Sequence, residues 1–139
     1  MPLDMITNTI TADELLPENL NFGISFETTK FNKKKYVINE ATGEYLGVVG
    51  AEFTCADHRT FFTDIYNNTT EKLGADQCAD MKINFSTAHN NAWALMDMTL
   101  PNVKAKITTP KHETEVAQRI IALHGIDGTA SNTVFYGAI

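Results

Sequence analysis

The stretch DHRTFFTDIYNNTTEKLG, residues 57–74, decides the fold class of this chain. Its first residue, Asp57, suits a helix start, because the carboxylate can accept hydrogen bonds from the free N–H groups of the first turn. Gly74 suits a helix end. Four apolar side chains recur between them at helical spacing and form one stripe: Phe61, Phe62, Ile65 and Tyr66. The pattern predicts a helix that runs to about Leu73 and needs an apolar surface to cover.

Outside this helix, the hydrophobic pattern is that of strands. Residues 22–26 alternate between apolar and small or polar side chains, which is typical of a half-buried strand. Residues 36–38 and 45–49 flank a turn in which Gly43 can supply a positive φ, so they predict a β-hairpin. Further runs of strand type follow at 81–88, 92–99, 103–108 and 133–139, with a hairpin signal at 89–91 and a break at Pro101.

The two ends of this pattern are less regular. Residues 1–10 show no period and are expected to form an N-terminal arm. Thr11 and Glu14 make a capping-box pattern that opens a short helix, which Pro17 stops. Residues 113–124 fit either a helix or a strand by spacing, and the adjacent β-branched residues in this run favour the strand.

Together, these elements predict an α+β fold in a single domain over residues 11–139. We expect a mainly antiparallel sheet of about six to seven strands, one long helix packed on it and a short N-terminal helix. Because the hairpin of residues 36–49 is apolar on both faces, it should lie centrally under the long helix. The predicted core is Phe26, Val37, Leu46, Val48, Phe61, Phe62, Ile65, Phe85, Trp93, Leu95, Ile107 and Ile121. A sequence that ends inside an apolar strand suggests a truncated protein, a trimmed sequence or an end that pairs with another subunit.

Composition limits the function classes. The chain has 139 residues, 43% of them hydrophobic and 20% charged, with a formal net charge of −6. The acidic balance argues against bulk binding to nucleic-acid phosphates, although a local basic groove remains compatible with it. We expect a cytoplasmic protein, because the sequence shows neither a signal peptide nor a run long enough to span a bilayer. The two cysteines, Cys55 and Cys78, are expected to be reduced.

The turn of possible functional interest is LHGIDGTAS, residues 123–131. His124 and Asp127 lie close enough in sequence to share a hydrogen bond, as a catalytic pair would. The structural alternative, which we favour, makes Asp127 an Asx-type turn residue and puts Gly128 in the left-handed conformation.

A second pair, Asp57 and His58, resembles a catalytic base with the group that orients it. A helix cap followed by an exposed histidine explains this pair better. No sequence motif for catalysis, metal binding or cofactor binding is complete. We therefore expect no catalytic residues, no metal and no cofactor.

The best binding feature in the sequence is basic and aromatic. Lysines beside aromatic rings are typical of proteins that bind single strands, where cations meet phosphates and bases stack on rings. The alternative is a solvated sheet edge on which lysines discourage aggregation. The candidate residues for nucleic-acid binding are Lys30, Phe31, Lys33, Lys34, Lys35, Tyr36, Lys104 and Lys106.

The order of several segments resembles a phage/plasmid-like protein family of unknown function. The segments are 15–26, a helix followed by LNFGISF, then TGEYLGVVG (42–50), FFTDI (61–65), AWALM (92–96) and the turn that begins at His124, where the family has a similar SHDGS sequence. From the first segment to the last, they extend over about four fifths of the chain in the family's order. The resemblance implies a mobile-element origin and an α+β domain, and it brings no catalytic residue. Asn90 and Asn91 depart from the Gly-Gly that often precedes the tryptophan strand in the family.

Three functions therefore compete. The first is an accessory protein of phage or mobile-element DNA metabolism that binds or anneals single-stranded DNA as a homo-oligomer. The second is a protein-binding inhibitor of a host defence system. The small size and the negative charge of this chain suit a surface that blocks a basic site on a host protein. The third is a small hydrolase or transferase that uses His124 and Asp127. We expect the protein not to be an enzyme.

Overall fold

The computed structural model of this chain describes residues 10–30, 33–108, 110, 113–129 and 132–138, and the predicted arm lies almost entirely outside them. The side chains of residues 105–108, 113–115 and 138 are also outside the description. A 3-10 turn, Glu18–Leu20, follows the first helix. The elements in chain order are α1 (Ala12–Leu15), β1 (Ile24–Thr28), β2 (Lys34–Asn39), β3 (Tyr45–Gly50), α2 (His58–Cys78), β4 (Lys82–Ala88), β5 (Trp93–Thr108), β6 (Glu113–Gly125) and β7 (Thr133–Ala138).

The fold is α+β, as predicted, and the seven strands of the described residues are divided between two antiparallel sheets. The first sheet has the order β1-β2-β3, and the second has the order β4-β5-β6-β7. The expected single sheet is therefore replaced by two. In each sheet, strands that are consecutive in the sequence are neighbours, which is the simplest antiparallel arrangement.

The long helix α2 begins where the sequence indicated and runs to Cys78, beyond the predicted end near Leu73. Asp57 caps it by accepting a hydrogen bond from the Thr60 backbone N–H at 2.8 Å. The regular helix stops at Gly74, which has φ +80°, and one further helical turn follows. Neither helix of the described residues has the length and the apolar composition that crossing a membrane requires.

The helix α2 covers the second sheet, so the expectation that it lies over the hairpin of residues 36–49 was wrong. It packs mainly on β5 and touches β6. The reason lies in β5, where every second residue from Ala94 to Leu100 is apolar and fully buried, which gives the aromatic stripe of α2 a flat apolar partner. The main core is formed by Leu16, Leu20, Phe62, Ala94, Met96, Met98, Leu100, Ile120 and Ala122.

Four of the predicted core residues lie elsewhere. Phe26 and Val48 are exposed on the first sheet. Leu95 and Ile121 lie on the face of the second sheet that α2 does not cover, because successive strand residues point to opposite faces. The side chain of Ile107 is outside the described residues. The prediction was confirmed for Val37 and Phe62, which are fully buried.

The strand at residues 113–124 is confirmed, since β6 runs from Glu113 to Gly125 and pairs with β5 and β7. The predicted break at Pro101 is milder than expected. The two runs around it form one strand, β5, in which the pairing shifts between Leu100 and Lys104. At the N-terminal side, the Glu14 carboxylate accepts a hydrogen bond from the Thr11 backbone N–H at 3.1 Å, as a capping box requires.

The two sheets meet at the turn that follows β6. The buried Ile126 donates its backbone N–H to the Ala92 carbonyl at 3.0 Å and so attaches the turn to the start of β5. On the other side, the turn packs against β3. A Cβ atom at Gly47 would lie 2.8 Å from the Asp127 Cβ, and one at Gly128 would lie 2.8 Å from Val49 Cγ1. Glycine is therefore needed on both sides of this contact.

We predict that Gly128→Ala destabilises the protein by about 1–3 kcal/mol more than Gly43→Ala does. Both glycines have nearly the same positive φ, 79° and 78°, so both substitutions carry the same backbone strain. Only Gly128 adds a steric clash, because nothing lies within 4 Å of a Cβ at Gly43. Urea unfolding of the two variants measures the difference, and equal losses of stability would show that the contact with β3 is loose.

Candidate functional site

A buried pair of histidines lies where α2 meets the end of β6. His58, in the first turn of α2, and His124, near the end of β6, are both fully buried. Their Nδ1 atoms are 2.8 Å apart, and His58 Nε2 lies 2.7 Å from the Asn91 carbonyl oxygen. The expectation of an exposed histidine after the Asp57 cap was therefore wrong. The pair links α2, the β4–β5 turn and β6 through two hydrogen bonds.

The hydrogen-bond partners determine the tautomers of the neutral pair. The Asn91 carbonyl can only accept, so His58 must carry its proton on Nε2. His58 Nδ1 is then an acceptor, and His124 must donate from Nδ1. This leaves His124 Nε2 without a proton, and that atom is buried and has no hydrogen-bond partner in the described part of the chain.

Burial favours the neutral form of both rings. It lowers the pKa of His58, against the raising effects of the hydrogen bond with Asn91 and of the Asp57 charge. Burial and the neighbouring His58 ring lower the pKa of His124 to about 3. Both histidines are therefore neutral near pH 7, and the single proton between them forms one hydrogen bond.

Aromatic rings enclose the histidine pair. The ring of Phe61 stacks on His124 with centroids 4.2 Å apart, and Phe62 meets both histidines. Phe22 contacts His58 edge to face at 5.6 Å. Because the unpaired Nε2 has essentially no accessible surface, it does not reach a solvent-borne substrate. The geometry therefore gives the pair a structural role and does not favour general acid–base catalysis by His124.

Asp127 serves the turn itself. Its Oδ1 accepts hydrogen bonds from Trp93 Nε1 at 3.0 Å, from the Thr129 backbone N–H at 3.0 Å and from the Thr129 hydroxyl at 2.7 Å. Burial opposes ionisation, but these hydrogen bonds outweigh it and lower the pKa of Asp127. The pattern is an Asx turn followed by Gly128 at φ 79°, as the sequence indicated. The alternative hydrogen bond between His124 and Asp127 does not form.

Within the described part of the chain, the thiols and carboxylates do not assemble into another reactive centre. Cys55 and Cys78 are free, and burial raises the pKa of each thiol, which disfavours the reactive thiolate. Among the described residues, no group of three or more histidine, cysteine, aspartate or glutamate side chains is arranged to hold a metal ion.

The structure divides the basic and aromatic residues that the sequence singled out. Lys30, Lys33 and Lys34 are exposed near the β1–β2 turn. Lys35 points to the other face of the first sheet, where its Nζ lies 4.2 Å from the ring centroid of Phe26. Lys104 and Lys106 belong to β5 of the second sheet, so they do not share a sheet with the candidate lysines near the β1–β2 turn. Phe31 and the side chain of Lys106 lie outside the described residues.

One aromatic cluster does form on the outer face of the first sheet. Tyr36 of β2 stacks on Tyr45 of β3 with ring centroids 4.6 Å apart and planes within 3° of parallel. Val48 is paired with Tyr36 across the strands, and Lys34 lies on the same face of β2, two residues before Tyr36. Tyr45 is 57% exposed and Val48 is 54% exposed. We call this set, with Glu27 on the neighbouring strand β1, the tyrosine face.

Sequence reasoning found Lys34 and Tyr36 but missed Tyr45 and Val48. Both were assigned to an apolar return strand, and Val48 was assigned to the core. The pairing shifts between Val37 and Ile38, so two successive β3 residues, Leu46 and Gly47, lie between the outward-facing Tyr45 and Val48. A bulge of this kind has no signal in the residue pattern other than the glycine itself.

Comparison with known proteins returned no matching family model, no matching curated protein and no matching solved structure.

We predict that the buried histidine pair makes the free energy of unfolding depend on pH between about 6.5 and 3. Because the pKa of His124 is about 3 when folded and near 6.5 when unfolded, the unfolded chain binds more protons in this interval. Stability is complete above pH 6.5 and falls as the pH decreases, by about 1.4 kcal/mol per pH unit for one such group. Urea unfolding at several pH values measures the slope.

Two matched variants separate the pH dependence that arises from His124 from the pH dependence that arises from titration of the carboxylates. His124→Asn should reduce the slope between pH 6.5 and 4.5, a range above that in which most aspartates titrate. His89→Asn should leave it unchanged, because His89 is exposed. An identical slope in the wild type and in His124→Asn would contradict the assignment.

Proposed function

We propose that this protein binds single-stranded nucleic acid on the tyrosine face of its first sheet, as an accessory protein of phage or mobile-element DNA metabolism. The observation that carries the proposal is the Tyr36–Tyr45 stack, in which Tyr36 is half-buried and Tyr45 is exposed, with Lys34 beside it. The segments that resemble phage/plasmid-like proteins support the mobile-element setting. DNA is the form expected from that setting, and annealing of two strands is a further activity that this role suggests.

The arrangement suits single strands for two physical reasons. Exposed aromatic rings on a sheet provide flat surfaces on which unpaired bases stack, whereas the bases of a duplex are already stacked inside the helix. Three exposed lysines lie at one end of the sheet, namely Lys30, Lys33 and Lys34. They can contact the phosphates of the nucleotides that flank the bases stacked on the tyrosine rings. Glu27 lies 3.5 Å from the Tyr45 hydroxyl and limits the positive charge there. The net charge of −6 further weakens long-range attraction.

We predict measurable binding of a fluorescent single-stranded oligonucleotide at low salt, detected by anisotropy. With three lysine–phosphate contacts, the logarithm of the association constant should fall with the logarithm of salt concentration with a slope of about −2. Tyr45→Ala should weaken binding by about 1–3 kcal/mol, since it removes one stacking surface. Lys34→Glu should weaken binding and reduce the salt dependence.

The control variant is Lys82→Glu, an exposed lysine of the second sheet, which should leave binding unchanged. A duplex of the same length should bind less tightly than the single strand. Lack of binding at low salt, or an equal loss in Lys34→Glu and Lys82→Glu, would refute the proposed interface.

A second candidate function, binding to a basic protein surface, is supported by a separate feature. A polar depression of about 460 Å³ lies between α1 and the first turns of α2. Its walls carry three carboxylates, on Asp13, Asp57 and Asp64, against one guanidinium, on Arg59. This surface complements a partner rich in lysine and arginine, as an inhibitor of a host defence protein would require.

We predict that, under this second candidate, the protein retains one stoichiometric partner from host lysate, and that the double variant Asp13→Lys/Asp64→Lys loses it. Glu71→Lys makes a single charge reversal at an exposed position of α2 outside the depression, and it should keep the partner. Retention of the same partner by the double variant would exclude the depression as the contact surface.

A further inference from the structure

The second sheet has an apolar face that α2 does not cover, on which three apolar side chains are half-buried and one is exposed. The helix α2 occupies one side of this sheet, and four residues of β5, β6 and β7 point to the other side. Leu95 is paired with Leu123 and Ile121 with Phe135 in the strand register, so the four side chains are neighbours. They belong to neither buried cluster of the protein. We call these four residues, Leu95, Ile121, Leu123 and Phe135, the apolar stripe.

The apolar stripe has the composition of an interface core. Its most exposed member, Phe135, is 55% exposed and lies against Gly137 of its own strand. On one side it is bordered by exposed polar residues of β4, among them Asn84 and Ser86, which pair with β5. An apolar centre with a polar rim is the usual anatomy of a protein–protein contact. In contrast, a solvated antiparallel sheet face carries mainly polar side chains.

The charges beside the stripe indicate which partner fits. Asp97 and Arg119 lie on the same face and form a two-pronged ion pair, in which Arg119 Nε donates to Asp97 Oδ1 at 2.9 Å. The two charges compensate each other, so this region is locally neutral on a chain of net charge −6. The stripe and its neutral border are therefore the surface on which two copies of this acidic chain approach with the least repulsion.

We propose that the apolar stripe is the contact surface of a homodimer, in which the outer faces of the two second sheets pack against each other. Such sheets pack face to face at about 10 Å, with interdigitated side chains. The Asp97–Arg119 pairs lie at the border of this contact and set the relative position of the two copies. The tyrosine face belongs to the other sheet, so the dimer carries two such faces and leaves both accessible.

The test is the mass of the protein in solution without any oligonucleotide, so its result is independent of the proposed function. Sedimentation equilibrium, from micromolar to near-millimolar concentration, should give twice the 15.4 kDa of the chain. Phe135→Glu should give the monomer mass, because it places a charge in the centre of the contact. A monomeric wild type over the whole range would overturn the proposal.

The neighbouring residue provides a matched control. Tyr136 is on the same strand and is 68% exposed, but it faces the cleft of about 610 Å³ between α2 and the sheet. Tyr136→Glu should therefore remain a dimer. If both variants are monomers, the contact runs through the edge of β7 and the face-to-face arrangement is wrong. Arg119→Glu should also dissociate the dimer. This variant keeps the test valid if Phe135→Glu does not fold. A dimeric Arg119→Glu variant would contradict the proposal.

Discussion

The structure depends on one contact, the packing of residues 124–129 between the two sheets. Three residues of this segment bond to other parts of the chain: His124 to His58 on α2, the Ile126 amide to Ala92 just before β5, and Asp127 to Trp93, the first residue of β5. The absence of side chains at Gly47 and Gly128 lets the turn approach β3 closely. Since the helix covers only the second sheet, the first sheet has no large helical surface of its own to pack on.

Much of the local structure could be predicted from the residues. The capping Asp57, the break at Gly74, the turn glycine Gly43 and the alternation in the strands all act within a few residues, and the structure confirms them. The division into two sheets could not be predicted, because it depends on which apolar surface the helix covers. The residue pattern shows that α2 needs a partner, but the hairpin at 36–49 and the alternating face of β5 were both possible partners. The fully buried row from Ala94 to Leu100 decides the choice.

The candidate sites were predictable only in part. His124 and Asp127 were recognised as a specified turn, yet their true partners, His58 and Trp93, are 66 and 34 residues away and carried no local signal. Lys34 and Tyr36 were found from composition, and Tyr45 joined them through the bulged pairing of β2 and β3. Since neighbouring strand residues face opposite ways, the run of three lysines is separated onto two faces. The two sheets thus carry distinct outer surfaces, one aromatic and one apolar.

The central claim is that the turn 124–129 makes the two sheets unfold as one unit. Native-state hydrogen exchange measures this directly, because it gives an opening free energy for each protected amide. The account predicts that the slowest amides of β2 and those of β5 share one opening free energy, and that Gly128→Ala lowers both equally. A lower opening free energy for β2, with β5 unaffected by the substitution, would contradict the claim.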